Sequence, residues 1–287
     1  MGNQDLEKFT DEEFNYYKEE LYARLTLGKE PVESPKSYIL GGQSGSGKTT
    51  LHRIFKEKLE DNAIIINGDE FRPYHPRYNE LKEMYGEDAV SKLGAFSNKM
   101  VETIIAQLSD ENYNLIIEGT LRTAEVPLKT AKMLKEKDYA VELGVMAVKP
   151  EISYLSTIHR YEKMIDKGVT TRITPKQHHD KIVEALPSNL DEIYEAKVFD
   201  NITLYNRSEE CLYDQSKEGK SPDKLMDNVL NGNWSKEEYV QLIDVIEGTI
   251  ELKKKRNALD LQEYKQKTKK LLSEKELMNN KNEITDR

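Results

Sequence analysis

Cysteine is almost absent from this sequence: Cys211 is the only one among 287 residues. A disulfide framework and a cysteine-rich zinc site are therefore excluded. Cys211 reads as a small buried or half-buried residue rather than as a nucleophile. No apolar run approaches the roughly 20 residues needed to span a bilayer. The opening Met-Gly-Asn-Gln-Asp-Leu-Glu-Lys lacks the basic-then-apolar order of a signal peptide. A soluble, cytoplasmic protein without membrane association is the expectation. Positive charge is also in deficit, with a net charge of -9. A general nucleic-acid binder needs a basic surface to displace counterions, so nucleic acid is not an expected partner. A small phosphate site can still be locally positive within an acidic chain. The five histidines fall at no metal-ligand spacing and read as surface or packing residues.

Apolar residues make up 37% of the chain and charged residues 33%, so part of it is expected outside a packed core. The apolar pattern divides the chain into three regions. Residues 1–35 carry an N-terminal helical element, opened by Thr10 as N-cap with Glu13 completing a capping box. Phe14, Tyr17, Leu21 and Leu25 follow at helical spacing. Residues 36–232 alternate strands and helices. The predicted strands are Ser37–Leu40, Ala63–Ile66, Leu115–Ile117, Val141–Val148 and a shorter one at Asn201–Tyr205. The predicted helices run from Lys48, over Val90–Leu108, over Val126–Lys137 and over Ser153–Met164. This alternation implies an α/β fold, doubly wound, with a mostly parallel sheet covered by helices on both faces. Residues 233–287 form a charged helical C-terminal extension, with Trp234 as its anchor and an expected disordered tail from Asn279. Within it, Lys253-Lys254-Lys255-Arg256 reads as a solvated helix face.

The segment Gly42-Gln43-Ser44-Gly45-Ser46-Gly47-Lys48-Thr49 satisfies GxxxxGK(S/T) at every fixed position. Glycines let the backbone curl so that successive N–H groups point at phosphate oxygens. The helix that begins near Lys48 adds its positive dipole end. Lys48 would reach the β- and γ-phosphates, and the Thr49 hydroxyl would coordinate Mg²⁺. Thr50, the next residue, is counted with the nucleotide-binding set. The pattern follows a predicted strand and opens a predicted helix, as a P-loop for ATP or GTP requires. Alone it does not separate kinase, ATPase, GTPase and switch.

Two carboxylates lie at the ends of later strands. Asp69 follows the second strand, where a kinase needs a base to orient an acceptor hydroxyl and take its proton. The plainer reading of Asp69 is a helix cap or turn residue. Glu118 ends the third strand, in the position of a carboxylate that holds Mg²⁺ directly or through water. Arg122, Arg160 and Arg172 follow. Spacing alone reads each as a surface ion pair, although guanidinium groups on a lid also suit a transferring phosphoryl group.

The combination is more specific than the loop. Asp69-Glu70-Phe71-Arg72 with His75-Pro76, Ile117-Glu118-Gly119-Thr120-Leu121-Arg122-Thr123, Ile158-His159-Arg160-Tyr161-Glu162 and Thr174-Pro175-Lys176 resemble the zeta-toxin family of bacterial toxin–antitoxin systems. The similarity runs from about residue 8 to about residue 235. It implies a P-loop kinase-like fold. It also implies a kinase that phosphorylates the 3′-hydroxyl of the N-acetylglucosamine moiety of UDP-N-acetylglucosamine, which starves peptidoglycan synthesis. A small, epsilon-type antitoxin is the implied partner, and it would occlude the nucleotide site. By matching position, the resemblance makes Asp69 the base, Lys48 the phosphate-stabilising cation, and Arg160 and Arg172 the groups that neutralise the phosphoryl. It assigns Mg²⁺ to Thr49 and Glu118, and the sugar nucleotide to Glu102, Thr120, Arg122 and Thr130. Two other functions remain open on the residues: a kinase for a sugar acid or an antibiotic hydroxyl, and a nucleotide-operated interaction module.

Overall fold

In a computed structural model, residues 6–169 and 173–285 are described; Arg172 falls outside them. The chain opens with α1 (Asp11–Thr26), which begins as the sequence requires. Thr10 Oγ1 accepts from the Glu13 amide, and the Glu13 carboxylate accepts from the Thr10 amide. Phe14 and Leu21 on its inner face are buried. Next come β1 (Lys36–Gly41), α2 (Lys48–Lys58), β2 (Ile64–Ile66) and the short α3 (Gly68–Phe71). They lead into α4 (Tyr78–Tyr85), α5 (Ala89–Lys92), α6 (Gly94–Asp110), β3 (Leu115–Glu118) and α7 (Glu125–Lys135). The second half holds β4 (Ala140–Met146), α8 (Pro150–Asp166), α9 (Lys176–Ala196), β5 (Asn201–Tyr205), β6 (Cys211–Asp214) and α10 (Asp223–Asn231). It ends with α11 (Lys236–Lys255) and α12 (Leu261–Thr285).

The six strands form one sheet in the order β2-β3-β1-β4-β5-β6. The first five run parallel, and β6 pairs antiparallel with β5 at the edge. Side chains alternate across the sheet because the strand period is two. Ile39, Leu115, Ile117, Val141, Leu143 and Val145 face one core with residues of α1, α6, α7, α9 and α10. Tyr38, Leu40, Ile116 and Met146 face a second core with residues of α2, α8, α11 and α12. The continuous apolar strands seen in the sequence follow from this burial on both faces.

Four expectations need correction. The helix expected over Val90–Leu108 is two helices, α5 and α6, that meet at Leu93. Leu93 turns inward with ψ near zero and is buried with Leu81 and Ala89 in a small separate cluster, and Gly94 lowers the helical preference at the join. Strand β6 carries no clear sequence signal, because four residues are too few for alternation to register. Cys211, expected to be buried or half-buried, is exposed at the start of this edge strand. The Lys253–Arg256 run is only in part the expected solvated face: Lys254 and Lys255 are exposed, but Lys253 and Arg256 are engaged. Lys253 is buried and pairs with Glu162 of α8 at 2.8 Å and with Asp260 at 2.6 Å, while Arg256 binds both Glu162 oxygens. The run therefore docks the C-terminal extension onto α8. Trp234 lies between Lys149 and Lys275, each with its ammonium within 6 Å of the indole ring centre.

Candidate active site

In an open parallel sheet a ligand binds at the carboxyl ends of the strands, at the point where strand order reverses. Here that point is the end of β1, which lies between β3 and β4. β1 runs straight into Gly42–Gly47, and α2 starts at Lys48. All three glycines of the loop have positive φ, and two show why no other residue serves. Gly47 has φ 97°, in the left-handed region, as it caps α2. Gly45 has φ 76°, and a Cβ there would lie 2.1 Å from the Ser153 carbonyl of α8 and 2.9 Å from Thr157 Cγ2. The loop thus rests its backbone directly on α8. Lys48 is buried, and its Nζ donates to the Gly42 carbonyl at 2.9 Å and the Gln43 carbonyl at 3.3 Å. Thr49, one residue into the helix, is exposed, and the Thr50 amide bonds the Gly47 carbonyl at 2.9 Å.

A buried relay holds the loop from the α8–α9 side. Gln43 Nε2 donates to the Val148 carbonyl at 2.8 Å and to Ser153 Oγ at 3.1 Å. Ser153 Oγ in turn lies 2.9 Å from His179 Nε2 on α9. Burial pushes the His179 imidazole below its ordinary pKa, against the opposite pull of Asp180. The expectation of a surface or packing histidine missed this polar role, because Gln43, Ser153 and His179 share no local pattern.

Asn67 ties the Asp69 backbone to the Glu118 carboxylate. Asn67, not Asp69, caps α3: its Oδ1 accepts from the Asp69 amide at 3.0 Å. Its Nδ2 reaches across the sheet to Glu118 Oε2 at 3.1 Å. The plainer cap reading of Asp69 therefore fails, since its neighbour fills that role. The Asp69 carboxylate pairs with Arg72 at 2.6 Å. Glu118 pairs in register with Leu40, the second-last residue of β1, and the Gly119 amide bonds the Leu40 carbonyl. This register places Glu118 beside the start of the phosphate loop. His52, one turn beyond Thr49 on α2, brings Nε2 within 3.2 Å of the same Glu118 oxygen. Asn67 and His52 are both site residues that sequence reading left out.

Arg160 sits half-buried on α8. Ser153, Thr157 and Arg160 stand at i, i+4 and i+7, one helical face, and the first two touch Gly45. Arg160 thus projects from the side of α8 that faces the loop. Arg172, its expected partner, lies outside the described residues. The residues expected on the acceptor side are more loosely placed. Glu102 on α6 and Lys129 on α7 are exposed and 3.8 Å apart, Arg122 is exposed, and Thr120 and Thr130 are half-buried. The Thr130 hydroxyl donates to the Val126 carbonyl of its own helix. Leu121 is buried at φ 54°, and its side chain fills the space where a Gly41 Cβ would stand. No group of three or more His, Cys, Asp or Glu side chains able to hold a metal ion occurs among the described residues.

The phosphate loop, the linked strand-end carboxylates and the arginine helix form one cluster at the carboxyl end of the sheet. The zeta toxin family profile matches residues 19–218, the span that holds all of it. The chain belongs to the zeta-toxin family. It is 44% identical over 239 residues to Toxin PezT of Streptococcus pneumoniae, covering 83% of this chain and 94% of that protein. It is 40% identical over 269 residues to Toxin zeta of Streptococcus pyogenes, covering 93% and 94%. Among solved structures, a chain of the PezAT chromosomal toxin–antitoxin system of Streptococcus pneumoniae matches with a TM-score of 0.80 and 40% identity. That match covers 86% of this chain and 99% of the other. The match to Toxin zeta spans 93% of this zeta-toxin chain, a larger share than the family profile takes in. The fold is P-loop kinase-like, as the sequence pattern implies. No helix among the described residues is long and apolar enough to cross a membrane.

Proposed function

We propose that this zeta-toxin chain is a kinase that transfers the γ-phosphoryl group of ATP or GTP to the 3′-hydroxyl of the N-acetylglucosamine moiety of UDP-N-acetylglucosamine. The observation that carries the kinase reading is the Asn67 bridge. It leaves Asp69 out of the helix cap and couples its position to Glu118, beside the phosphate loop. A switch protein has no use for a carboxylate on the acceptor side. A kinase needs one there to orient the hydroxyl and accept its proton as transfer proceeds.

The remaining roles follow from placement. The loop amides of 42–47 and the start of α2 bind the phosphates, and Lys48 stabilises the transferring group. Arg160 and Arg172 spread the charge that develops on its equatorial oxygens. Glu102, Thr120, Arg122 and Thr130 face the sugar nucleotide. Thr49 and Glu118 offer a hydroxyl and a carboxylate, the hard oxygen ligands that suit Mg²⁺. Bound there, the ion would neutralise charge on the phosphates. Glu118 is already oriented for such a role by its hydrogen bond from Asn67. A small antitoxin covering the nucleotide site completes the reading, and a cytoplasmic location suits the substrate.

The test is to incubate the purified chain with Mg-ATP and UDP-N-acetylglucosamine and to seek a monophosphorylated sugar nucleotide by mass spectrometry. A product that disappears with Asp69→Asn supports both the acceptor and the base. No product from a folded chain that binds nucleotide would rule out this acceptor.

A further inference from the structure

Beyond β5 the chain turns back through 206–210 into β6. The turn is tightly built. Asn206 Oδ1 accepts from the Glu210 amide at 3.0 Å, and Asn206 Nδ2 donates to Glu210 Oε2 at 3.0 Å. Glu209, at φ 68°, pairs with Arg53 on α2. The turn is thus fixed to the helix that starts at the phosphate loop. Arg207 extends from it onto the loop itself. Its Nη2 donates to the Gly45 carbonyl and, at 2.8 Å, to Ser156 Oγ on α8; its Nε donates to the Ser46 carbonyl at 3.3 Å. A Cβ at Gly47 would lie 3.8 Å from its Cγ and Nε.

No carboxylate pairs with Arg207 among the described residues. Burial, with nothing to offset it, pushes the guanidinium down to about 10. Arg207 is half-buried, and a cation drawn out of water is ordinarily paired with an acid, because the desolvation cost is otherwise uncompensated. Here the cation is spent on backbone carbonyls. A phosphate loop works by turning consecutive N–H groups inward, which turns carbonyls outward. Two of those outward carbonyls, at Gly45 and Ser46, are the ones the fork of Arg207 holds.

We infer that Arg207 is a positioning residue of the nucleotide site, locking the Gly45 and Ser46 carbonyls outward and supplying a positive charge whose counter-charge is the polyphosphate of a bound nucleoside triphosphate. The inference rests on the nucleotide-binding reading of the loop and is independent of the acceptor. Mg-ATP binding to the purified full chain is measured by calorimetry for wild type, Arg207→Met and Arg207→Lys, alongside the melting temperature of each without ligand. Arg207→Met should bind at least tenfold more weakly while melting within a few degrees of wild type. Arg207→Lys keeps the charge but has no fork to span two carbonyls, so its affinity should fall between the two, at least threefold below wild type. Arg207→Met binding within twofold of wild type overturns the inference. If Arg207→Met does not fold, Arg207→Lys decides, and wild-type affinity in that variant overturns it. A wild-type chain that binds no Mg-ATP refutes the nucleotide reading and this inference together. A wild-type chain that binds Mg-ATP but phosphorylates no UDP-N-acetylglucosamine refutes the acceptor alone.

Discussion

Glu162→Gln is expected to loosen the C-terminal extension from α8. Glu162 is 1% exposed, and three contacts of 2.6–2.8 Å join it to Lys253 and Arg256 of the extension. Burial works to raise its carboxyl pKa, but hydrogen bonds from Arg256 and Lys253 outweigh that and hold it below the usual range. Glutamine keeps the volume and removes the charge. Removing one partner of a buried pair costs about 3–5 kcal/mol. Asp260 still partners Lys253 at 2.6 Å and Arg256 is partly exposed, so the lower end, about 3 kcal/mol, applies. At roughly 2–4 °C per kcal/mol the melting temperature should fall by about 6–12 °C. Calorimetry would measure the fall, and hydrogen exchange would show α11 opening first. The pH dependence has a defined sign. A depressed carboxylate contributes stability that is present above its unfolded value, about 4.3, and is lost as pH falls through the folded value. The gap between variant and wild type should therefore narrow in acid. Replacing the two fully buried members together, Glu162→Leu with Lys253→Leu, should recover part of the loss, because neither fully buried charge is then left unpaired, while the partly exposed Arg256 still loses both its Glu162 contacts. A deficit under about 1 kcal/mol for Glu162→Gln would refute the reasoning, since the cluster would then be worth no more than a surface ion pair.

Gly45→Ala should abolish nucleotide binding, because the new methyl meets the Ser153 carbonyl at 2.1 Å and the residue must keep φ 76°; equilibrium binding of Mg-ATP checks this. Asn67→Ala should cost about 1 kcal/mol as a lost helix cap, and should lower turnover well beyond that because Glu118 loses its Nδ2 contact; melting and steady-state rates separate the two effects. Burial lowers the pKa of His75, His159 and His179. Their neutral forms are favoured in the folded chain, so stability should be level above about pH 6.5 and decline below it as the unfolded state takes up protons. Melting temperatures from pH 8 to pH 5 would show the slope, and His179→Gln should flatten part of it.

The parts of the site that were legible in the sequence are those written within a few residues. The phosphate loop binds through consecutive amides, so its glycines must be contiguous with the strand and helix that frame it. Asp69 and Glu118 were legible because a strand end delivers a side chain to the site immediately after an apolar run. The caps at Thr10 and Asn67 are equally local, but only the first was read, since Asn67 precedes a one-turn helix that has no apolar periodicity. What could not be read depends on distant segments. Ser153 and His179 meet Gln43 only because α8 and α9 pack behind the loop. Arg207 follows a five-residue strand with no motif of its own. Lys253 belongs to a run of cations that looks solvated until the partner, Glu162, is found 91 positions earlier and buried.

The two halves of the site are built differently, and the difference bears on substrate choice. On the donor side the loop is fixed from three directions: by α8 against Gly45, by the Gln43–Ser153–His179 relay, and by Arg207. Packed, hydrogen-bonded groups of this kind need little reorganisation when phosphate arrives, so little binding energy is spent on ordering. On the proposed acceptor side Glu102 and Arg122 are exposed, and Lys129 stands 3.8 Å from Glu102 without burial. Ordering such side chains costs about 0.5–1.5 kcal/mol each, and the acceptor must supply that energy. A large, charged acceptor can do so through its remote groups, which make contacts but do not react. A small acceptor has no such contacts to offer. For the proposed sugar-nucleotide acceptor this predicts that truncation to N-acetylglucosamine alone should depress turnover as well as affinity, whereas a simple sugar acid as the true acceptor would leave no such dependence.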